Sequence, residues 1–103
     1  MARFDVYANA GSHAATTPYL LDVQSDLLDG LATRLTIPLA TLSYSGKVPS
    51  ALCPLVTVKG QRLHALAHFA APVPAKLLRK PVASVVTQAS ALVAAMDAVL
   101  SGD

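Results

Sequence analysis

Leu21-Asp22-Val23-Gln24-Ser25-Asp26-Leu27-Leu28-Asp29, followed after four residues by Arg34-Leu35-Thr36-Ile37-Pro38-Leu39-Ala40, is the stretch from which the fold is read. Tyr19 to Val23 reads as a strand, with Asp22 as its outward residue. Polar Gln24-Ser25-Asp26 closes that strand. Ser25 and Asp26 suit a turn or a cap, and Asp29-Gly30 is a turn signal. Arg34-Leu35-Thr36-Ile37 alternates polar and apolar, as a half-buried strand does. Pro38 has no N–H to give a ladder, which limits this strand to an edge or a bulge. Leu39 to Ser43 continue the sheet. The stretch is therefore strand, polar knuckle, strand.

Working outward, Arg3-Phe4-Asp5-Val6-Tyr7 alternates again and places Phe4 and Val6 on one face. Asn9 to His13 is a loop. The clearest hairpin joins Leu55-Val56-Thr57-Val58 to Gln61-Arg62-Leu63-His64-Ala65-Leu66 through Lys59-Gly60, where Gly supplies a positive φ. Pro72-Val73-Pro74 ends the β portion, and Ala75 to Leu78 fits one helical turn. The chain is thus β-rich over 1–74. Residues 81–100 contain no Gly and no internal Pro, and Val82, Val85, Val86, Ala89, Leu92, Val93, Met96, Val99 and Leu100 fall at helical spacing. A C-terminal helix over about 81–100 is expected, with Pro81 at its first position. Its other face, Ser84, Thr87, Gln88, Ala91, Ala95 and Ala98, is small and nearly uncharged.

Composition narrows the function classes. The 103 residues form one domain, 1–103. Apolar residues make up 53% and charged ones 14%, which excludes a disordered chain and points to a buried partner interface. One cysteine excludes a disulfide framework, and a net charge of +2 argues against electrostatic capture of nucleic acid. Asp5 stands where a signal peptide needs its apolar region. The uncharged run Pro81 to Met96 falls short of the ~17–25 residues of a membrane span. A cytoplasmic protein with no membrane association is expected.

No motif announces catalysis. His64 and His68 are four apart, but they read as one extended strand that holds the imidazoles too far apart for one ion, so no metal and no cofactor are expected. Cys53, between Leu52 and Pro54, reads as a small buried hydrophobe. Its use as a nucleophile would require His64 or His68 beside it. Asp22, Asp26 and Asp29 around Ser25 read as strand and turn residues. Lys76, Arg79 and Lys80 read as a solvated basic turn. No catalytic residue is assigned.

The DVQSD block, two aliphatics, an Asp, and then a basic residue before Ile37-Pro38-Leu39-Ala40 resemble the CcdB family, the toxins of plasmid-addiction modules. Phe4-x-Val6-Tyr7, Lys47-Val48, Leu52-x-Pro54-Leu55-Val56, Gly60 and Val73-Pro74 match in the same order. The resemblance implies a mainly β (α+β) fold: an SH3-like β-barrel of antiparallel strands with a small extra sheet and one C-terminal helix, assembled as a homodimer. It implies a toxin that is not an enzyme, that binds the A subunit of DNA gyrase and traps its cleavage complex, and that a CcdA-like antitoxin neutralises. Operator DNA would be reached only through the antitoxin. By resemblance, the gyrase-binding residues are Arg3, Phe4, Ser25, Leu27, Leu28, Asp97, Ser101, Gly102 and Asp103. The family ends in Trp-Gly-Ile, and this chain has Ser101-Gly102-Asp103, so only Gly102 matches there. A non-poisoning homologue that still binds antitoxin is the alternative. The barrel is shared with MazF-type endoribonucleases, in which Arg34 and Thr36 would be the basic residue and the hydroxyl. The Gly-rich opening and Arg-Pro dipeptide of that branch are missing from this sequence.

Overall fold

Pro38, expected to limit its strand to an edge or a bulge, sits in a strand at the centre of the sheet. The computed structural model describes residues 2–11, 13–44, 46–50 and 52–101. Its antiparallel strands are β1 (Asp5–Ala8), β2 (Tyr19–Asp22), β3 (Thr33–Thr41), β4 (Leu55–Val58), β5 (Gln61–Ala65), β6 (Ala71–Pro74) and β7 (Ala83–Ser84), followed by helix α1 (Ala89–Ser101). The order across the sheet is β4-β5-β3-β2-β1-β7. β2 flanks one side of β3, and the other side is shared by β6 along Thr33 to Thr36 and β5 along Leu39 to Thr41. Pro38 falls in the gap between these two partners. Its carbonyl accepts from the Leu66 N–H there (3.0 Å). In a strand the N–H and C=O of one residue point the same way, so the donor that proline lacks would have met that gap and not a ladder. The result is a nearly closed barrel, mainly antiparallel β, with one C-terminal helix, consistent with the SH3-like barrel expected.

Register separates two faces. Val6, Leu21, Ile37, Leu39, Leu63 and Ala65 point to the main core, together with Phe4, Val56, Val58 and Leu92 of α1. Burying a side chain of this size is worth ~1.5–3 kcal/mol, so this cluster dominates stability. Tyr7, Leu20, Asp22, Arg34, Thr36 and Pro38 lie on the second face. Lys59 and Gly60 both have positive φ (51° and 80°), the backbone of a type I′ turn, as the hairpin reading requires.

Three sequence expectations are corrected here. The helix starts at Ala89, not at Pro81. Over 81–88 the backbone instead serves the open edge of β1. Val82 N–H donates to Val6 O (2.8 Å) and Val85 N–H to Phe4 O (2.9 Å), before a 3₁₀ turn over Val86–Gln88. The β-branched Val82 and Val85 favour that route along β1. Once the helix forms, its buried line is Leu92 and Ala95. Ala95, expected on the second face, is therefore inside, while Val93 and Leu100 of the expected apolar stripe are exposed. The strand carrying His64 stops at Ala65, and Ala67–Phe69 forms a 3₁₀ turn, so His64 and His68 do not share one extended strand. Among the described residues, no helix is long and apolar enough to cross a membrane.

Candidate functional site

The polar knuckle between β2 and β3 is built almost wholly by its own side chains. Asp22, expected to face outward, is instead fully buried, and so is Arg34. The outward face of this strand pair is not a solvent face, so the charges on it must pair. Arg34 Nε donates to Asp22 Oδ2 (2.8 Å), and Nη2 lies 2.7 Å from the same oxygen without a hydrogen-bonding angle. Arg34 Nη1 donates to Asp29 Oδ1 (2.9 Å), whose side chain is 59% exposed. One guanidinium therefore bridges the end of β2 to the far end of the knuckle. Burial pushes the Asp22 carboxyl up from the ordinary carboxylate value, and Arg34 and the Gln24 N–H on Asp22 Oδ1 (3.0 Å) pull it back.

Each remaining residue of the block has a partner. Gln24 Nε2 donates to Leu28 O (2.9 Å) and Gln24 Oε1 accepts from Leu35 N–H (2.9 Å), tying the knuckle to β3. Ser25 caps the 3₁₀ turn Asp26–Leu28, its Oγ accepting from Leu27 N–H (3.2 Å). Asp26 Oδ1 accepts from Arg3 N–H (3.0 Å), and Arg3 Nε donates to Val23 O (3.1 Å). The Arg3 guanidinium lies 4.9 Å from the Phe4 ring centroid. Phe4 has a φ of 72° and its carbonyl holds Val85, so its ring is buried in the main core.

The outcome is a clamped knuckle that lifts leucines into water. Leu27 is 95% exposed, Leu28 50% and Leu31 52%. Ordinary surfaces carry single exposed leucines, but here three within five residues, on a turn held by this many polar contacts, present an apolar patch. Of the residues assigned by resemblance, the structure brings Arg3, Phe4, Ser25, Leu27 and Leu28 to this one place. Leu31 was missed by sequence reasoning. Asp97 and Ser101 lie on α1, where Ser101 Oγ donates to Asp97 O (2.7 Å). Gly102 and Asp103 lie outside the described residues.

The catalytic alternatives change in detail. Arg34 is sealed between two carboxylates, and Thr36 is buried with its hydroxyl donating to Ala71 O (3.2 Å). Neither reaches the surface to cleave RNA, and this corrects their casting in an endoribonuclease role. Cys53 does meet a histidine: its Sγ lies 3.5 Å from His68 Nδ1, and the His68 ring lies 4.2 Å from that of Phe69. Burial pushes the Cys53 thiol up, however, the opposite of what an activated nucleophile needs. Cys53 packs with Ala40 and Leu66, as the small-hydrophobe reading expects. Among the described residues, no three His, Cys, Asp or Glu side chains come together to hold a metal ion.

A family model described as CcdB protein matches residues 3–102. The chain belongs to the CcdB family. Membership supports a CcdB-like toxin role and a toxin–antitoxin partnership in general terms. The DVQSD block of this CcdB-family chain is the knuckle just described, and its Ile37-Pro38-Leu39-Ala40 segment is the stretch where β3 changes partners. No curated protein matches the chain by sequence.

Proposed function

We propose that this chain is the toxin of a type II toxin–antitoxin module and acts by binding, as a homodimer, to the A subunit of DNA gyrase, trapping the gyrase–DNA cleavage complex. A CcdA-like antitoxin neutralises it, and the pair represses its own operon, with the antitoxin touching operator DNA. The observation that carries the reading is the clamped knuckle that presents Leu27 and Leu28 beside Arg3 and Ser25. A pre-formed apolar surface loses little conformational entropy on docking, which favours affinity. Leu100 and Val86 are exposed as well and supply apolar area for a second copy or for the antitoxin. Incubating the purified protein with gyrase, ATP and supercoiled plasmid tests the reading. Linear DNA after denaturation is the expected product, and its absence at micromolar protein would remove the poisoning claim.

A second reading is favoured by one observation. Ser101 stands where the family resemblance places Trp, and the chain contains no Trp. Such an aromatic anchor buries ~150–250 Å². On this reading the chain binds antitoxin without poisoning gyrase. Induction without antitoxin separates the two: arrested growth supports the toxin, and unimpaired growth supports the antitoxin-binding homologue.

A further inference from the structure

We propose that the cavity between β1, β2 and the 73–80 segment is a binding site for a small amphiphilic anion, an apolar body carrying one acidic head group. The cavity has a volume of ≈ 730 Å³. That falls within the ~300–1,000 Å³ of pockets that enclose small ligands. It lies on the second face of the sheet, away from the main core and from the leucines of the knuckle. Leu20, Val73 and the buried Leu78 supply its apolar wall.

The lining cations select the charge of the head group. Arg79 and Lys80 line the cavity, both side chains are exposed, and no described carboxylate pairs with either. No acidic residue is among its described lining residues. An anionic ligand would supply the missing counter-charge, while a cationic one would meet two like charges. Tyr7 also lines the cavity. Its side chain is buried, and its hydroxyl has no hydrogen-bond partner among the described residues. That hydroxyl has almost no exposed surface, so Tyr7 gives the cavity part of its wall and not a donor. An apolar wall and two cations that no described carboxylate pairs together describe a fatty-acid-like or aromatic carboxylate. Asn9 lines the cavity too but offers nothing more, since its Nδ2 donates to Thr17 O (2.7 Å) and its Oδ1 accepts from Gly11 N–H (2.9 Å).

The test uses the full chain, with anilinonaphthalene sulfonate as a fluorescent anion and decanoate as its competitor. The expected result is saturable one-to-one binding, displaced by decanoate but not by decanol or decylamine. The double variant R79E/K80E should weaken decanoate about tenfold or more, the scale of losing charged hydrogen bonds. Leu27→Asp should leave binding unchanged, which separates this cavity from dye captured on the exposed knuckle. Binding that does not saturate, equal displacement by decanol, or affinity unchanged in R79E/K80E would overturn the proposal. The result does not depend on gyrase or antitoxin, so it stands or falls apart from the toxin reading.

Discussion

Replacing Arg34 by Met should destabilise this protein more than any other single surface-to-core charge change. The substitution keeps an unbranched apolar stem and deletes a guanidinium that contacts Asp22 Oδ2 at 2.7 and 2.8 Å. Asp22 remains fully buried, with the Gln24 N–H as its remaining described donor. Removing one partner of a buried pair costs ~3–5 kcal/mol, because the other charge is left without compensation. A domain of this size is stable by only ~5–15 kcal/mol, so this is about a fifth of the total or more. The thermal midpoint should fall by roughly 15 °C or more. The loss should shrink as the pH is lowered, because without Arg34 the desolvated Asp22 carboxyl takes up a proton and the uncompensated charge disappears. Asp22→Leu combined with Arg34→Met should recover most of the stability, since an apolar pair can replace a buried ion pair at little cost. Asp29→Asn breaks only the exposed end of the bridge and should cost less than about 1 kcal/mol. Urea denaturation at pH 7 and at pH 4 measures these three variants and the Asp22→Leu single. An Arg34→Met loss below about 1 kcal/mol, or a double variant as unstable as the sum of its singles, would refute the account of this pair.

Further outcomes follow from other parts of the molecule. Leu27→Asp should change stability by no more than about 0.5 kcal/mol, since the side chain is almost fully exposed, while reducing target binding; denaturation and pull-down read the two effects separately. Gly60→Ala should cost about 1 kcal/mol by chemical denaturation, wholly from backbone strain, because Gly60 has a φ of +80° and open space where a Cβ would stand. Burial raises Tyr7 and Cys53 above their ordinary values of 10.0 and 9.0. Their neutral forms are favoured in the folded state, so this contribution is complete below those values and is lost as the pH rises through the raised ones. The unfolding midpoint should therefore drop at alkaline pH, less steeply in Tyr7→Phe. At pH 8, a thiol reagent should label Cys53 slowly until denaturant is added.

Where one local signal acted without competition, the sequence was legible. Lys59-Gly60 specified its turn because two positive φ values in two residues leave few other solutions. Ser25 was legible as a cap for the same kind of reason. Pro38 misled because the rule against proline in central strands assumes one continuous neighbour, and β3 changes neighbours at that residue. Asp22 misled because alternation shows which face a residue is on but not what covers that face. The 71–80 segment and the knuckle cover it, and only pairing across twelve residues with Arg34 makes the burial tolerable. Residues 81–88 fit helical spacing, but the open edge of β1 offered backbone bonds, and their β-branched side chains tipped the choice. Leu31 carried no signal of its own, since its exposure follows from how the knuckle is clamped.

We propose that this chain grips gyrase through the clamped knuckle. Calorimetric titration of the purified gyrase A subunit with the wild-type protein and with Leu27→Asp tests it most directly. The account predicts saturable binding by the wild type and loss of that binding in Leu27→Asp, with an unchanged thermal midpoint. No binding by the wild type, or equal binding by the variant, would contradict it.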